Sequence, residues 1–476
     1  MDTISDKTIY WYDFETFGVN PRRDRASQFA GIRTDEDLNI IGKPLVLFCK
    51  PANDFLPEPM ACLITGISPQ KAKAEGVIET EFVSQIHYEL SQPGTCVAGY
   101  NSIRFDDELT RQLLYRNFYD PYEREWKGGN SRWDIIDMVR LCAATRPSGI
   151  NWPKKDDDSN SFKLDELTVA NGIEHTEAHD ALADVIATIE LAKLIKQHQP
   201  KLYDYVYQLR SKKKVQMEID LVTQKPVLHV SMMYPAKQGC LALVMPLCAH
   251  PSNNNGVIVY DLRENPDDWL SLSTEEMHAR LYAPKEQLDA GARRVPFKTI
   301  HINKCPIVTS PAVLDPESAA AFGVDLESCR AHWQKLKESK GLVSKLSGVF
   351  KDEHITPELD PDFMIYSGGF FTETDKSLMQ TIRSTPAVDL ARLDLPFRDR
   401  RLHEMLFRYR ARNFPETLNQ NEQADWEMYR QKRLHDPSSQ SRYRIGLLEA
   451  KKRVNENPAT EQFDVLLALE EYVASL

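Results

Sequence analysis

The sequence predicts an α/β fold over its first two hundred residues, then a β-rich segment, then a helical one. Three observations carry this. Apolar runs near 8 to 14, 27 to 33, 38 to 49 and 95 to 100 read as strands, while 80 to 91, 106 to 118, 133 to 144 and 180 to 197 have helical periodicity. From 214 to 305, short strand-like pieces (Pro226 to Val230, Cys240 to Val244, Gly256 to Tyr260) are separated by Pro, Gly and Asn turns and closed by helical material around 316 to 350. Residues 375 to 476 are helical and charged, with Leu447 to Leu476 rich in good helix formers. Gln197-His198-Gln199-Pro200 punctuates the first boundary, and the acidic, Pro-punctuated Asp352 to Asp362 marks the second. The expected domains are 1–198, 199–352 and 353–476.

At 476 residues the chain can bury a large core, and its 42% hydrophobic and 27% charged content is ordinary for a globular protein. No run approaches the roughly 18 apolar residues that span a bilayer, and Met1-Asp2-Thr3 opens neither a basic nor an apolar signal segment, so a cytoplasmic protein without a membrane partner is expected. The eight cysteines contain no C-x-x-C pair and are expected as buried free thiols. A formal charge of -11 argues against indiscriminate polyanion binding yet permits a local basic groove.

Chemistry enters with Asp13-Phe14-Glu15 on the first apolar strand. Residues two apart share a strand face, so both carboxylates point the same way, and burying them is costly unless a cation neutralises them. Asp106 follows an apolar strand through a polar turn into a helix; alone it reads as a first-turn acid. His179 stands five residues before Asp184 at the head of a helical run, and alone reads as a cap. In conjunction the three segments match the layout of a two-metal phosphodiesterase. Four converging carboxylates would raise one another's pKa values unless two divalent cations about 4 Å apart sit among them. Oxygen ligands suit Mg²⁺, with Mn²⁺ as a substitute. His179, at the start of a helix and off any apolar stripe, is the expected general base.

These motifs resemble the DEDD exonuclease superfamily, in its histidine subclass. More narrowly, the chain resembles the bacterial exonuclease I family over essentially its whole length. The runs Tyr115 to Tyr122, Arg146 to Pro153, Ala170 to His175, His301 to Pro306 and Tyr409 to Pro415 carry that closer resemblance. It implies a ribonuclease-H-like exonuclease domain, an SH3-like β domain and a helical C-terminal domain. It also implies 3′→5′ degradation of single-stranded DNA to 5′-mononucleotides, processively, in repair and recombination, by a monomer.

Basic and aromatic residues interleave from Arg111 to Arg140, including Arg116, Arg124 and Arg132, as a sequence-tolerant single-strand track requires; Tyr115 and Trp133 are expected in the core instead. The resemblance implies strand contacts at Arg111, Tyr122, Trp126, Arg140, Asn255, Lys298 and His301, and terminal-nucleotide contacts at Glu15 and Lys163. Lys163 stands where the family carries arginine, and a lysine cannot reproduce the bidentate guanidinium fork. A partner is implied as well: the acidic, apolar C-terminal tail of single-stranded-DNA-binding protein, at Arg146, Tyr205, Lys225 and Lys337. A silent strand-binding protein would have lost a metal ligand, and none is lost here. A ribonuclease of the superfamily would share the motifs, but its short-RNA members lack large accessory domains.

Overall fold

A computed structural model describes residues 7–175, 179–283, 293–339, 341–351, 358–456 and 460–476. In chain order it begins β1 (Thr8–Thr16), β2 (Ala26–Thr34), β3 (Ile40–Phe48), α1 (Pro59–Thr65), α2 (Pro69–Glu75), α3 (Glu79–Leu90), β4 (Thr95–Gly99) and α4 (Asp106–Arg116). Then come β5 (Ser131–Asp134), α5 (Ile136–Thr145), α6 (Leu164–Ala170), α7 (Ala181–His198), α8 (Pro200–Gln208) and α9 (Lys212–Glu218). The expected strands and helices of this stretch all form. The expectation omitted α1, α2, α6 and α9, seven residues each, and the four-residue β5, all too short to display a period.

The structure divides into two compact units, the first within 1–131, 175–189 and 357–476, the second within 132–174 and 190–356. The three-domain expectation follows the chain, whereas these units interleave it. The expected boundary at 352–353 lies outside the described residues.

In the first unit β1 is central: β2 pairs with it antiparallel and β4 parallel, and β3 pairs with β2. Ile9, Tyr10, Trp11 and Tyr12 are buried on both strand faces, which explains the unbroken apolar run. Gly31 is required opposite them, since a Cβ there would strike the Tyr10 ring. The Phe14 ring packs 4.9 Å from that of Phe29, in a core with Tyr12, Phe82, Val83, Leu109 and Leu113. The β1–β2 register shifts between Glu15 and Thr16, where the strand leaves the ladder.

The chain's last helices, Glu373–Ser384, Arg401–Asn413, Gln420–Leu434, Pro437–Glu456 and Thr460–Ala474, belong to the same unit, apolar residues of the first two packing with Tyr115 and Phe118. A buried ion network also joins the two stretches. Arg412 reaches Asp54 at 2.8 Å and Asp362 at 2.5 Å, Arg116 reaches Glu79 at 3.0 Å, and Arg25 lies 3.6 Å from both Asp54 and Glu79.

The second unit carries an antiparallel sheet in the order Ile307–Thr309, Val227–Val230, Leu241–Ala249, Gly256–Asp261, Phe297–His301, the small β domain the sequence predicted. Helices Pro316–Ala321, Leu326–Glu338 and Leu342–Val349 supply the expected helical material. Trp133 is buried against Tyr203 and Tyr207. All eight cysteines are free thiols. No helix among the described residues is long and apolar enough to cross a membrane.

Candidate active site

Each acid arrives on an element whose sequence dictates its placement. Asp13 and Glu15 lie on β1 with Phe14 between them; the aromatic core takes the Phe14 side chain, so strand alternation puts both carboxylates on the opposite face. Asp106 is the first residue of α4, and its Oδ1 accepts the Phe14 amide at 3.2 Å, tying the helix to the backbone between the two strand acids. Its neighbour Asp107 takes the structural role instead, accepting Tyr12 Oη at 2.9 Å and Arg124 at 2.6 Å. Asp184 stands one turn into α7, whose N-terminus Asp180 caps by accepting the Leu182 and Ala183 amides. His179, exposed and with φ of 71°, leads into that cap.

The electrostatics are those of acids that repel one another. Burial, followed by repulsion from Asp106, Glu15, Asp184 and Asp180, drives Asp13 well above the carboxylate range. Burial, with Asp184, Asp106 and Asp180, pushes Glu15 up to about 9. Asp184 is raised by burial too, an effect opposed by His175 and His179. Ligand atoms of Glu15, His179 and Asp184 all lie within 4.8 Å of one another. Oxygen-rich donors that destabilise each other's charge while converging on one point fit a hard divalent cation, which would neutralise them. Asp13 and Asp106 join this group through the field they share with it.

Two contributors escaped the sequence reading. His175 lies 2.5 Å from Asp184. Gln28, paired with Glu15 in the β1–β2 ladder, donates to Asp180 at 3.1 Å. No periodicity marks His175, nine residues before its partner. The Gln28 signal was available, since any strand pairing with β1 must set a residue opposite Glu15.

The basic and aromatic residues from 111 to 140 are not one exposed track. Tyr115 and Trp133 are core, as expected, but Arg116 and Arg124 are also buried, on Glu79 and Asp107, and Arg132 is buried and donates to Asn303 O. Acids elsewhere in the chain have claimed the charges of Arg116 and Arg124. In the first unit Arg111 makes a bidentate pair with Glu125 and sits 5.3 Å over the Tyr122 ring, while Trp126 is 64% exposed. In the second unit Arg140 is buried on Asp137, Lys163 is exposed and pairs with Glu166, and the Lys298 ammonium lies 4.5 Å over the Tyr234 ring. Asn255 accepts from Lys212 at 2.6 Å, and His301 meets Asn253 at 3.3 Å.

The four expected partner-tail residues also lie in the second unit. Arg146 donates to Val313 O, and Tyr205 donates to Val308 O under the Lys214 ammonium. Lys337 lies 5.0 Å over Trp333, whose Nε1 donates to the carbonyl of Gln224, next to exposed Lys225.

Comparison with known proteins gives three family matches: an exonuclease model over residues 10–192, the exonuclease I SH3-like domain over 210–352 and the exonuclease I C-terminal domain over 359–476. Exodeoxyribonuclease I of Haemophilus influenzae is 48% identical over 432 residues, 90% of this chain and 91% of that protein. A crystal structure of E. coli exonuclease I in complex with a dA16 oligonucleotide superposes with a TM-score of 0.94 at 43% identity, covering 98% of this chain and 99% of that one. A zinc-bound form of the E. coli enzyme with single-stranded DNA gives 0.93, at the same identity and coverage.

Proposed function

The chain belongs to the exodeoxyribonuclease I family and is a hydrolase, and from that premise we propose that it removes 5′-mononucleotides processively from the 3′ end of single-stranded DNA, in repair and recombination. The observation that carries this reading is the mutual repulsion of Asp13, Glu15, Asp106 and Asp184, with ligand atoms of Glu15 and Asp184 within 4.8 Å of those of an exposed His179. Oligonucleotide complexes of the E. coli relative support the substrate class. The three matched segments support an exonuclease, an SH3-like and a C-terminal domain in chain order.

The four acids are the proposed ligands of two Mg²⁺ ions, for which Mn²⁺ would substitute. When bound, such cations neutralise the acids and supply Lewis acidity to the attacking water and the departing 3′ oxygen. The chain's own residues do the rest. His179 takes the water's proton, a role its exposure allows. The Phe14 amide holds Asp106, and the Asp180 cap holds the start of α7. Glu15 and Lys163 receive the terminal nucleotide. Arg111, Tyr122, Trp126, Arg140, Asn255, Lys298 and His301 are the proposed strand contacts, rings for bases and charges for phosphates.

The enzyme is proposed to act in the cytoplasm as a monomer and to dock the acidic tail of single-stranded-DNA-binding protein at Arg146, Tyr205, Lys225 and Lys337. Matched DNA and RNA strands, single and double and labelled at either end, test the reading when digested with Mg²⁺ and with EDTA. Mononucleotides should leave first from the 3′ end of single-stranded DNA, with metal alone. Full activity in EDTA, or RNA degraded as fast as DNA, would overturn it. Binding of an acidic tail peptide by K225A or R146A, measured beside wild type, tests the docking site separately.

A further inference from the structure

Asp184 is held by a second histidine that the proposed mechanism leaves unused. His175 Nε2 lies 2.5 Å from Asp184 Oδ1, with the imidazole 2% exposed and the carboxylate 19%. The backbone of Asp184 is fixed independently. Gln28 donates to Asp180 Oδ2 at 3.1 Å and accepts Ala181 N at 3.3 Å. Asp180 in turn accepts the Leu182 and Ala183 amides through its carboxylate and the Asp184 amide through its carbonyl. This clamp leaves the Asp184 side-chain torsions to be set by the groups that meet its carboxylate, the His175 imidazole at 2.5 Å and the His179 backbone. Other ring nitrogens in the molecule behave differently: His229, His278 and His332 each place Nδ1 2.8 Å from a backbone carbonyl. A histidine serving packing alone is satisfied in that way. One bonded to a carboxylate of a cation site controls how that carboxylate is presented.

We propose that His175 is a positioning residue that engages one oxygen of Asp184, orients the other for a divalent cation, and leaves proton transfer to His179. The proposal rests on the reading of this site as a divalent-cation site. Its test is Mn²⁺ binding, followed by the paramagnetic resonance of free Mn²⁺ as metal-free protein is titrated. The proteins compared are wild type, H175A, H175N (too short to reach Asp184) and H175Q (which keeps a donor at greater length). H175A and H175N should bind Mn²⁺ about 10- to 100-fold more weakly. H175Q should recover part of that loss, and the Mg²⁺ concentration giving half-maximal turnover should shift in the same order. Affinity for a single strand in EDTA should stay unchanged. Wild-type Mn²⁺ affinity in H175N would overturn the proposal, and so would tighter binding, which would mean that the imidazole competes with the cation. If H175A does not fold, H175N against H175Q decides. Failure of wild type itself to bind Mn²⁺ would defeat the cation-site reading instead.

Discussion

Two groups of buried acids in the first unit, made of the same side chains, sit at opposite ends of the carboxylate range. Asp54 and Glu79 are as enclosed as Asp13 and Glu15, and in all four burial works to raise the pKa. Around Asp54 that effect is overcome by Arg412, Arg433 and Arg25, which hold it far below the usual range; Arg116 and Arg25 bring Glu79 down to about 2. Around Glu15 the neighbours are Asp184, Asp106 and Asp180, and their repulsion adds to burial. Burial alone therefore does not separate a structural acid from a catalytic one. The sign of the neighbouring charge does, and a protein that leaves buried acids uncompensated has left room for a cation from outside.

The widest separation of the two groups should come from removing one acid of each. D106N should lower turnover by about 10³ or more, while raising the melting temperature in EDTA because one repelling charge is gone. D54N should do the reverse, costing about 3 to 5 kcal/mol of stability by stranding the arginines around it, with turnover per folded molecule unchanged. Calorimetry and single-turnover assays on both variants check this, and a loss of stability in D106N would erase the distinction. H179A is a smaller change: turnover should fall by about 10² with strand affinity near wild type, because a general base acts in the transition state. A parallel loss of affinity would make His179 a substrate-positioning residue.

The two groups should also pull apart in their pH dependence. Glu79 has its folded pKa lowered from 4.5 to about 2, so its stabilisation is complete above 4.5 and is lost as pH falls toward 2. Glu15 has its folded pKa raised to about 9, so metal-free protein should lose stability as pH rises from 4.5 toward 9. Thermal melts in EDTA should therefore show E15Q gaining on wild type as pH rises across that window. A constant difference would mean that Glu15 is not held protonated.

The residues of the candidate site could be picked out in the sequence because each piece sits at the end of a periodic element. Asp13 and Glu15 close an apolar strand, Asp106 opens a helix, and His179 and Asp184 head another. The supporting residues were not. Arg116 and Arg124 looked like surface cations because nothing near them in the chain announces Glu79 or Asp107 as a buried partner. His175 was hidden for a related reason: no repeat links it to Asp184, nine residues on. Local pattern reports elements and the residues that cap them, whereas ion pairs between elements appear only after folding.

Phe14 stands between Asp13 and Glu15 with its ring in the aromatic core. Because a strand alternates, removal of a single codon between Ile9 and Asp13 would swap faces, sending carboxylates into the core and the phenyl ring onto the face of the candidate site. Core and chemistry are thus written in one reading frame of nine residues, and selection on either keeps length changes out of the other. This stretch should tolerate exchanges of similar side chains at its apolar positions but no insertion or deletion at all, the opposite of what a surface loop accepts.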